Sequence, residues 1–193
     1  GAYLELLSIP VGRFRMPPCD CPEILPQQLL MLDVVASALD DAGMPLRERR
    51  PDLGVMIGMG LDLNTTNFHL RWWLAGQAHR WAEMLGVRLS PSQEAAWIDT
   101  LRNAIGPALD ATRTLGALGG MIASRIAREL QAGGPSFGVS CDEASGIKAM
   151  ETAVRALQSG ELNAAVVGAV DLAGDLRAIV TTNALREFSR NAS

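Results

Sequence analysis

Residues able to do chemistry are few in this chain. Two histidines, His69 and His79, limit imidazole catalysis and metal binding, and three cysteines are too few, and odd in number, for a disulfide scaffold. Gly138-Val139-Ser140-Cys141-Asp142 comes within one residue of the G-x-S-x-G nucleophile elbow. An aspartate stands where the last glycine belongs, and Ser140 has no well-placed histidine as its base. Cys19-Asp20-Cys21 offers two thiolates to a metal, but a tetrahedral site needs two further ligands, and Cys141, His69 and His79 lie at unrelated spacings. Gly58-Met59-Gly60 follows an apolar run as a dinucleotide loop would, yet the fingerprint's third glycine is Leu63, so the glycines read as a tight strand exit. Arg71 and Arg80 lie among Trp72, Trp73, Trp81 and Trp97. That set could stack an aromatic ligand, and it also suits a core or an interface.

The remaining cluster is Cys141-Asp142-Glu143. SFGVS has the character of a strand, CDEASG of a tight turn, and IKAMETAVRALQ of a long amphipathic helix. Groups in such a turn sit at a helix N-terminus, where free N–H groups and the helix dipole favour negative charge by about 0.3–1 kcal/mol at an exposed site. The turn therefore suits a thiolate nucleophile, an oxyanion or a carboxylate. It equally suits Asp142 and Glu143 as plain helix caps.

The elements around this turn follow from periodicity. Prolines 10, 17, 18 and 22 keep the first two dozen residues irregular or extended. Leu29, Leu32, Val35, Ala36 and Leu39 share one helical face, in a helix opened by Pro26 and closed by Gly43. LGVMIG (53–58) is a continuous apolar run between turn residues, as in a buried parallel strand. Residues 66–106 are expected to be mostly helical, with Ser90 as N-cap, Pro91 at the first helical position and Gln93 as capping-box partner of the second helix. A third helix is expected over 114–131, fully packed in through its small residues. Residues 136–140 and 164–170 are expected to join 53–58 in one sheet, with the 144–159 helix largely buried. Residues 173–193 read as helix or loop. Strands alternating with helices imply an α/β layer fold with a mostly parallel sheet.

Composition narrows the function. Seventeen basic against 21 acidic residues, a net charge of −4, argue against a nucleic-acid partner. No apolar run reaches the ~18–20 residues that span a bilayer. The N-terminus carries no basic region of a signal peptide, and the expected compartment is the reducing cytoplasm. The chain stops at FSRNAS without a finishing element, as a truncated domain would.

Several blocks, in order, resemble the β-ketoacyl synthases of fatty acid and polyketide synthases. Their nucleophile region is close to G-P-S-x-x-V-D-T-A-C-S-S-S-L, then a helix, then S-L-x-S-G-E-x-D-x-A-L-x-G-G-V. Here it is matched by GPSFGVSCDEASGI and ALQSGELNAAVVGAV. LPQQLLMLDVVASALDDAG is similar to the family's D-P-Q-Q-R-L-L-L-E-x-A-x-E-A-L-E-D-A-G, LGVMIGMG to its T-G-V-F-V-G, and LGALGGMIASRIARELQAGGPS to the helix leading into the nucleophile strand. FRMPP with LPQQLLML looks most like the ketosynthase domains of polyunsaturated fatty acid synthases and related polyketide synthases. The resemblance covers about residues 10–193.

The resemblance implies the N-terminal half of a thiolase-like fold over residues 1–193, with a helical insert at about 61–113. It places the family's nucleophilic cysteine position, without a gap, on Glu143, and Cys141 on the family's threonine. The family's two catalytic histidines come from its C-terminal half, and His69 and His79 match neither. A carboxylate attacking a thioester would form only an unstable mixed anhydride. The implied role is therefore non-condensing: a scaffold, dimerisation or chain-length-factor-like element. The alternative is an acyltransferase part that extends or decarboxylates acyl or malonyl thioesters once completed by its C-terminal half, with Glu143 as an acid/base group or Cys141 as an alternative nucleophile. No cofactor or metal is implied beyond the phosphopantetheine thioester of an acyl carrier protein as substrate. The implied partners are that carrier protein and a second copy or an active ketosynthase, touching through residues 135–141.

Overall fold

The computed structural model describes residues 7–60, 67–105, 108, 110–111, 114–115, 118–172 and 176–188. Along the chain run α1 (Pro26–Asp41), β1 (Leu53–Met59), α2 (Asn67–Met84), α3 (Pro91–Ile105), α4 (Met121–Leu130), β2 (Ser136–Val139), α5 (Ser145–Gln158), β3 (Ala164–Val170) and α6 (Leu176–Leu185). A 3-10 helix at Pro18–Glu23 precedes α1. Residues 1–6, 61–66 and 189–193 lie outside the described residues, and with them parts of the expected irregular N-terminal stretch, of the expected insert at about 61–113 and of the expected 173–193 helix or loop.

The three expected strands form one parallel sheet in the order β2-β1-β3. Val55 stands opposite both Ser136 and Val166, and Gly58 opposite both Val139 and Ala169. Every residue of the central strand is buried, which is why its sequence is apolar without alternation. Its two faces nevertheless differ. Leu53, Val55, Ile57 and Met59 point to one side, into a core shared with α1 and α4. Met56 points to the other side, toward Ala149, Ala153 and Ala156 of α5 and toward Leu162. The result is three layers, with α1 and α4 on one face of the sheet and α5 on the other.

The first core is the thicker one. Val55, Ile57, Ile122 and Ile126 have no solvent exposure, and each such side chain contributes about 1.5–3 kcal/mol of burial. Glu129, 5% exposed, accepts hydrogen bonds from Arg47 Nε at 2.7 Å and from the Arg15 backbone N–H at 3.0 Å. This ties the N-terminal segment to α4. The fully buried Gln28 donates to the Leu118 carbonyl at 3.0 Å and accepts from Arg125 Nε at 2.6 Å.

Local signals hold at several helix ends. Pro26 opens α1, and Gly43 at φ +66 follows it, with the Met44 N–H donating to the Leu39 carbonyl at 2.8 Å. The Ser90 N–H donates to Gln93 Oε1 at 2.9 Å and the Gln93 N–H to Ser90 Oγ at 3.4 Å, a reciprocal capping box.

Two expectations fail. The helix expected over 114–131 is interrupted: Thr114 and Leu115 are helical, Gly119 and Gly120 form a turn, and α4 begins only at Met121. It is also amphipathic rather than fully packed in, with Ser124 and Arg128 outside. The 144–159 helix is not largely buried. Ser145, Ala149, Ala153 and Ala156 face inward, while Ile147, Met150, Val154 and Leu157 stand 72%, 59%, 43% and 40% exposed. That outer row has the 3-4-3 spacing of a helix–helix seam. Two apolar stripes run along α5, and the sheet takes the one made of small residues.

Candidate functional site

The candidate site is the turn between β2 and α5. β2 ends at Val139, and after five intervening residues Ser145 begins the helix, with Ala144 at its N-cap position. Ser145 organises the turn. Its buried hydroxyl accepts the Cys141 N–H at 2.8 Å and donates to the Asp142 carbonyl at 2.6 Å. The Ala144 N–H donates to the Cys141 carbonyl at 2.9 Å and the Ser145 N–H to the Asp142 carbonyl at 3.2 Å. Asp142 is held at φ +46, a left-handed conformation that aspartate tolerates better than most residues. Cys141 and Glu143 form a one-residue bridge around it. The turn is thus a wound loop that presents three consecutive side chains, Cys141, Asp142 and Glu143, to solvent.

Glu143 lies two residues before the first helical residue. Its Oε1 accepts a hydrogen bond from Arg186 Nη1 at 3.2 Å, just beyond α6, and both side chains are more than 80% exposed. Cys141 is a free, exposed thiol. On the first turns of α5, Lys148 donates to Glu151 at 2.7 Å. That hydrogen bond is the main cause that raises the Lys148 pKa, and a smaller contribution comes from Cys141.

The helix seats this close to the sheet through glycines. A Cβ on Gly58 would stand 2.6 Å from the Gly146 backbone nitrogen, and a Cβ on Gly146 would stand 2.8 Å from Ala169 Cβ. Gly58 of the G-M-G run therefore serves strand–helix contact and does not form a phosphate loop. Sequence reasoning missed Ser145, Gly146 and Arg186. The ASG triplet at the helix start was the available signal for the first two. Arg186 gave none, since it is 43 residues from Glu143 and reaches it only across β3.

The other candidate residues do not join the site. Cys19 is exposed beside Asp20 and Cys21 is half-buried, and among the described residues no three His, Cys, Asp or Glu side chains gather as a metal site. His79 lies exposed on α2 within 3.4 Å of Glu83 and 3.6 Å of Glu94, while the His69 side chain lies outside the described ones. Trp73 and Trp81 meet edge to face at 5.7 Å, but Trp72 and Trp73 are 66% and 52% exposed and so form no core. Among the described residues no helix is long and apolar enough to cross a membrane.

Chemically, the turn can hold an anion at the surface. Its carboxylate at 143 already has a guanidinium partner, and its nearest sulfur is two residues away.

Comparison with known proteins matches residues 10–193 to the model of the β-ketoacyl synthase N-terminal domain. The chain is 29% identical over 174 residues to one of the subunits of a polyunsaturated fatty acid synthase from Thraustochytrium sp., covering 90% of this chain and 8% of that protein. It is 28% identical over 174 residues to polyketide synthase GfsA from Streptomyces halstedii, covering 89% of this chain and 2% of that protein. The chain thus spans less than a tenth of the length of these curated relatives. Among solved structures, its fold is similar to a PfaC keto synthase–chain length factor, with a TM-score of 0.70 and 24% identity over 83% of this chain and 17% of that one. A ketosynthase of the bacillaene polyketide synthase from Bacillus amyloliquefaciens matches with a TM-score of 0.52 and 21% identity, over 81% of this chain and 22% of that one. Both are thiolase-like folds, and the α/β layers described above are theirs.

Proposed function

The chain belongs to the β-ketoacyl synthase family, as its N-terminal domain, and on that premise we propose that it is a non-condensing ketosynthase-like domain of a fatty acid or polyketide synthase. The observation that carries this reading is Glu143. By the motif resemblance the family's nucleophilic cysteine would fall at that position, and here the residue is an exposed carboxylate paired with Arg186. A carboxylate gives no stable thioester intermediate, and its charge opposes a malonyl carboxylate in the same place.

The role left to such a domain is pairing. It acts as a scaffold, a dimerisation element or a chain-length-factor-like partner of an active ketosynthase in a cytoplasmic synthase. Two features support this. The apolar row Ile147, Met150, Val154 and Leu157 lies open on α5, and Phe137, within the 135–141 stretch expected to touch a partner, is 39% exposed on β2. Acyl chains reach the assembly as phosphopantetheine thioesters on an acyl carrier protein, and the domain takes no cofactor of its own.

The test is acylation followed by intact mass. The parent chain and Glu143→Cys are incubated with a cysteine-directed acyl-thioester mimic. We expect Glu143→Cys to be labelled at position 143 well beyond the labelling of Cys141 in the parent, with no condensation product from either. Equal acylation of the parent at Cys141 would overturn the reading in favour of an acyltransferase part that works through Cys141 when its C-terminal half is present.

A further inference from the structure

Ile147, Met150, Val154 and Leu157 stand exposed in one row along α5, and no polar residue interrupts it. Single exposed apolar side chains are ordinary, but four in line over about 15 Å of helix are not. The inner stripe of the same helix is already taken, since Ala149, Ala153 and Ala156 lie against Met56 and Leu162. The helix thus has one face on the sheet and a second with the spacing of a helix–helix seam and no second helix on it.

The order of residues in the row selects the occupant. Its 3-4-3 spacing reads the same in both directions and is centred at the level of Thr152. A two-fold axis there sets Ile147 against the partner's Leu157 and Met150 against the partner's Val154, so every member of the row meets another member. That is the reciprocity of an isologous interface, in which residue i meets j and j meets i. Packing agrees. Val154 is the smallest of the four, and the antiparallel arrangement gives it the long, adaptable Met150. A parallel pair would set Val154 against the partner's Val154 and leave one thin layer. Antiparallel helices also oppose their dipoles. Arg155 then lies about 3 Å in height from the partner's Glu151, and the exposed charges of Lys148, Glu151 and Arg155 form a polar rim along the seam.

We propose that α5 pairs antiparallel with α5 of a second copy of this chain, Ile147 seated on the partner's Leu157 and Met150 on the partner's Val154. This rests on the pairing role given above and names its partner. Four residues a side are fewer than the ~20–30 of a standard interface, so the dimer is weak, with a dissociation constant on the order of 10–100 µM.

The test is sedimentation velocity of the 193-residue chain over about 1–300 µM, with Ile147→Lys, Leu157→Glu and their equimolar mixture. We expect the parent to dimerise and each variant alone to dimerise at least tenfold more weakly, since each of its dimers carries two mismatched contacts. In the mixture one contact pairs the introduced lysine with the introduced glutamate, and the other keeps Leu157 against the partner's Ile147. The dimer should then return to within about threefold of the parent. A parent that stays monomeric over the whole range overturns the proposal and leaves the row to a different segment or protein. A parent dimer that neither variant weakens also overturns it, but places the contact on another surface and leaves the pairing role intact. A mixture that fails to restore the dimer overturns the antiparallel register. The acylation test of position 143 is independent of all three outcomes. If either variant loses its helical circular-dichroism signal, the parent alone decides. Its Met150 methyl resonance, assigned by Met150→Leu, should move between dilute and concentrated samples, and a resonance that stays fixed while the chain dimerises overturns the proposal.

Discussion

Gly58 in the middle of the sheet and Gly146 in the first turn of α5 touch backbone to backbone: a Cβ on Gly58 would come within 2.6 Å of the Gly146 nitrogen. This contact sets the distance between the central strand and the helix that follows the candidate turn. It also explains why alanines line the inner face of α5, since nothing larger fits between helix and sheet.

Gly58→Ala should therefore push the start of α5 outward. The expected cost is about 1–3 kcal/mol, the usual penalty of overpacking, or a fall in melting temperature on the order of 2–10 °C for a chain of this length. Thermal unfolding followed by circular dichroism measures it. Gly76→Ala, on α2, has nothing within 4 Å of its added Cβ and should leave the melting temperature unchanged or raised.

Glu129 is the buried charge on which the N-terminal segment depends. Removing its carboxylate with Glu129→Ala leaves the Arg15 N–H and the Arg47 guanidinium without their acceptor. The expected destabilisation is about 2–4 kcal/mol. Limited proteolysis should then cut between residues 10 and 20 before any other site, since Arg47 also holds the Arg13 carbonyl at 2.6 Å.

The outer row of α5 predicts the opposite pattern. The double substitution Ile147→Glu with Val154→Lys alters side chains that are 72% and 43% exposed, so the helical signal and melting temperature should stay within error of the parent. Sedimentation velocity should show less self-association. A loss of fold comparable to that of Gly58→Ala would mean the row is covered within the chain itself.

Lys148, Glu151 and Arg155 form an exposed charge ladder beside that row. The hydrogen bond from Lys148, then the Arg155 charge, holds the Glu151 carboxyl below its ordinary value of 4.5. The folded state therefore binds fewer protons there than the unfolded one. Its stabilisation is complete above the unfolded value and is lost as pH falls through the folded one. Lys148, raised from 10.5 by the same bond, contributes fully below that pH and loses its contribution as pH rises through the folded value. The melting-temperature difference between parent and Glu151→Gln should be flat between about pH 5 and 10, and should vanish in acid once the carboxyl is protonated. Salt of about 0.5 M should shrink it, because exposed pairs are screened.

What the sequence made legible was local. Ser90 and Gln93 cap α3 as their spacing requires, since a capping box needs only four consecutive residues. The three strands were readable because parallel strands covered by helices are apolar along their length. The orientation of α5 was not readable. Periodicity marks two apolar stripes and cannot say that Ala149 and Ala153 turn inward while Ile147 and Met150 turn outward, because the choice is made by Gly58 on another element. The Glu143–Arg186 pair was equally hidden, since it exists only after β3 has returned the chain to the turn.

The strand order also has a consequence for how the chain comes together during synthesis. β1 lies between two strands that follow it by roughly eighty and more than a hundred residues. At about 5–20 residues per second, an all-apolar LGVMIGM segment waits roughly 4–15 s for β2 to emerge, and longer for β3. The pairing is non-local on both sides, so the sheet cannot nucleate early from neighbouring hairpins. β2, α5 and β3 by themselves leave a gap one strand wide. Of the three strands described, the first made is the last to be fully sheltered, and during that interval its apolar backbone edges are open to aggregation and to chaperones.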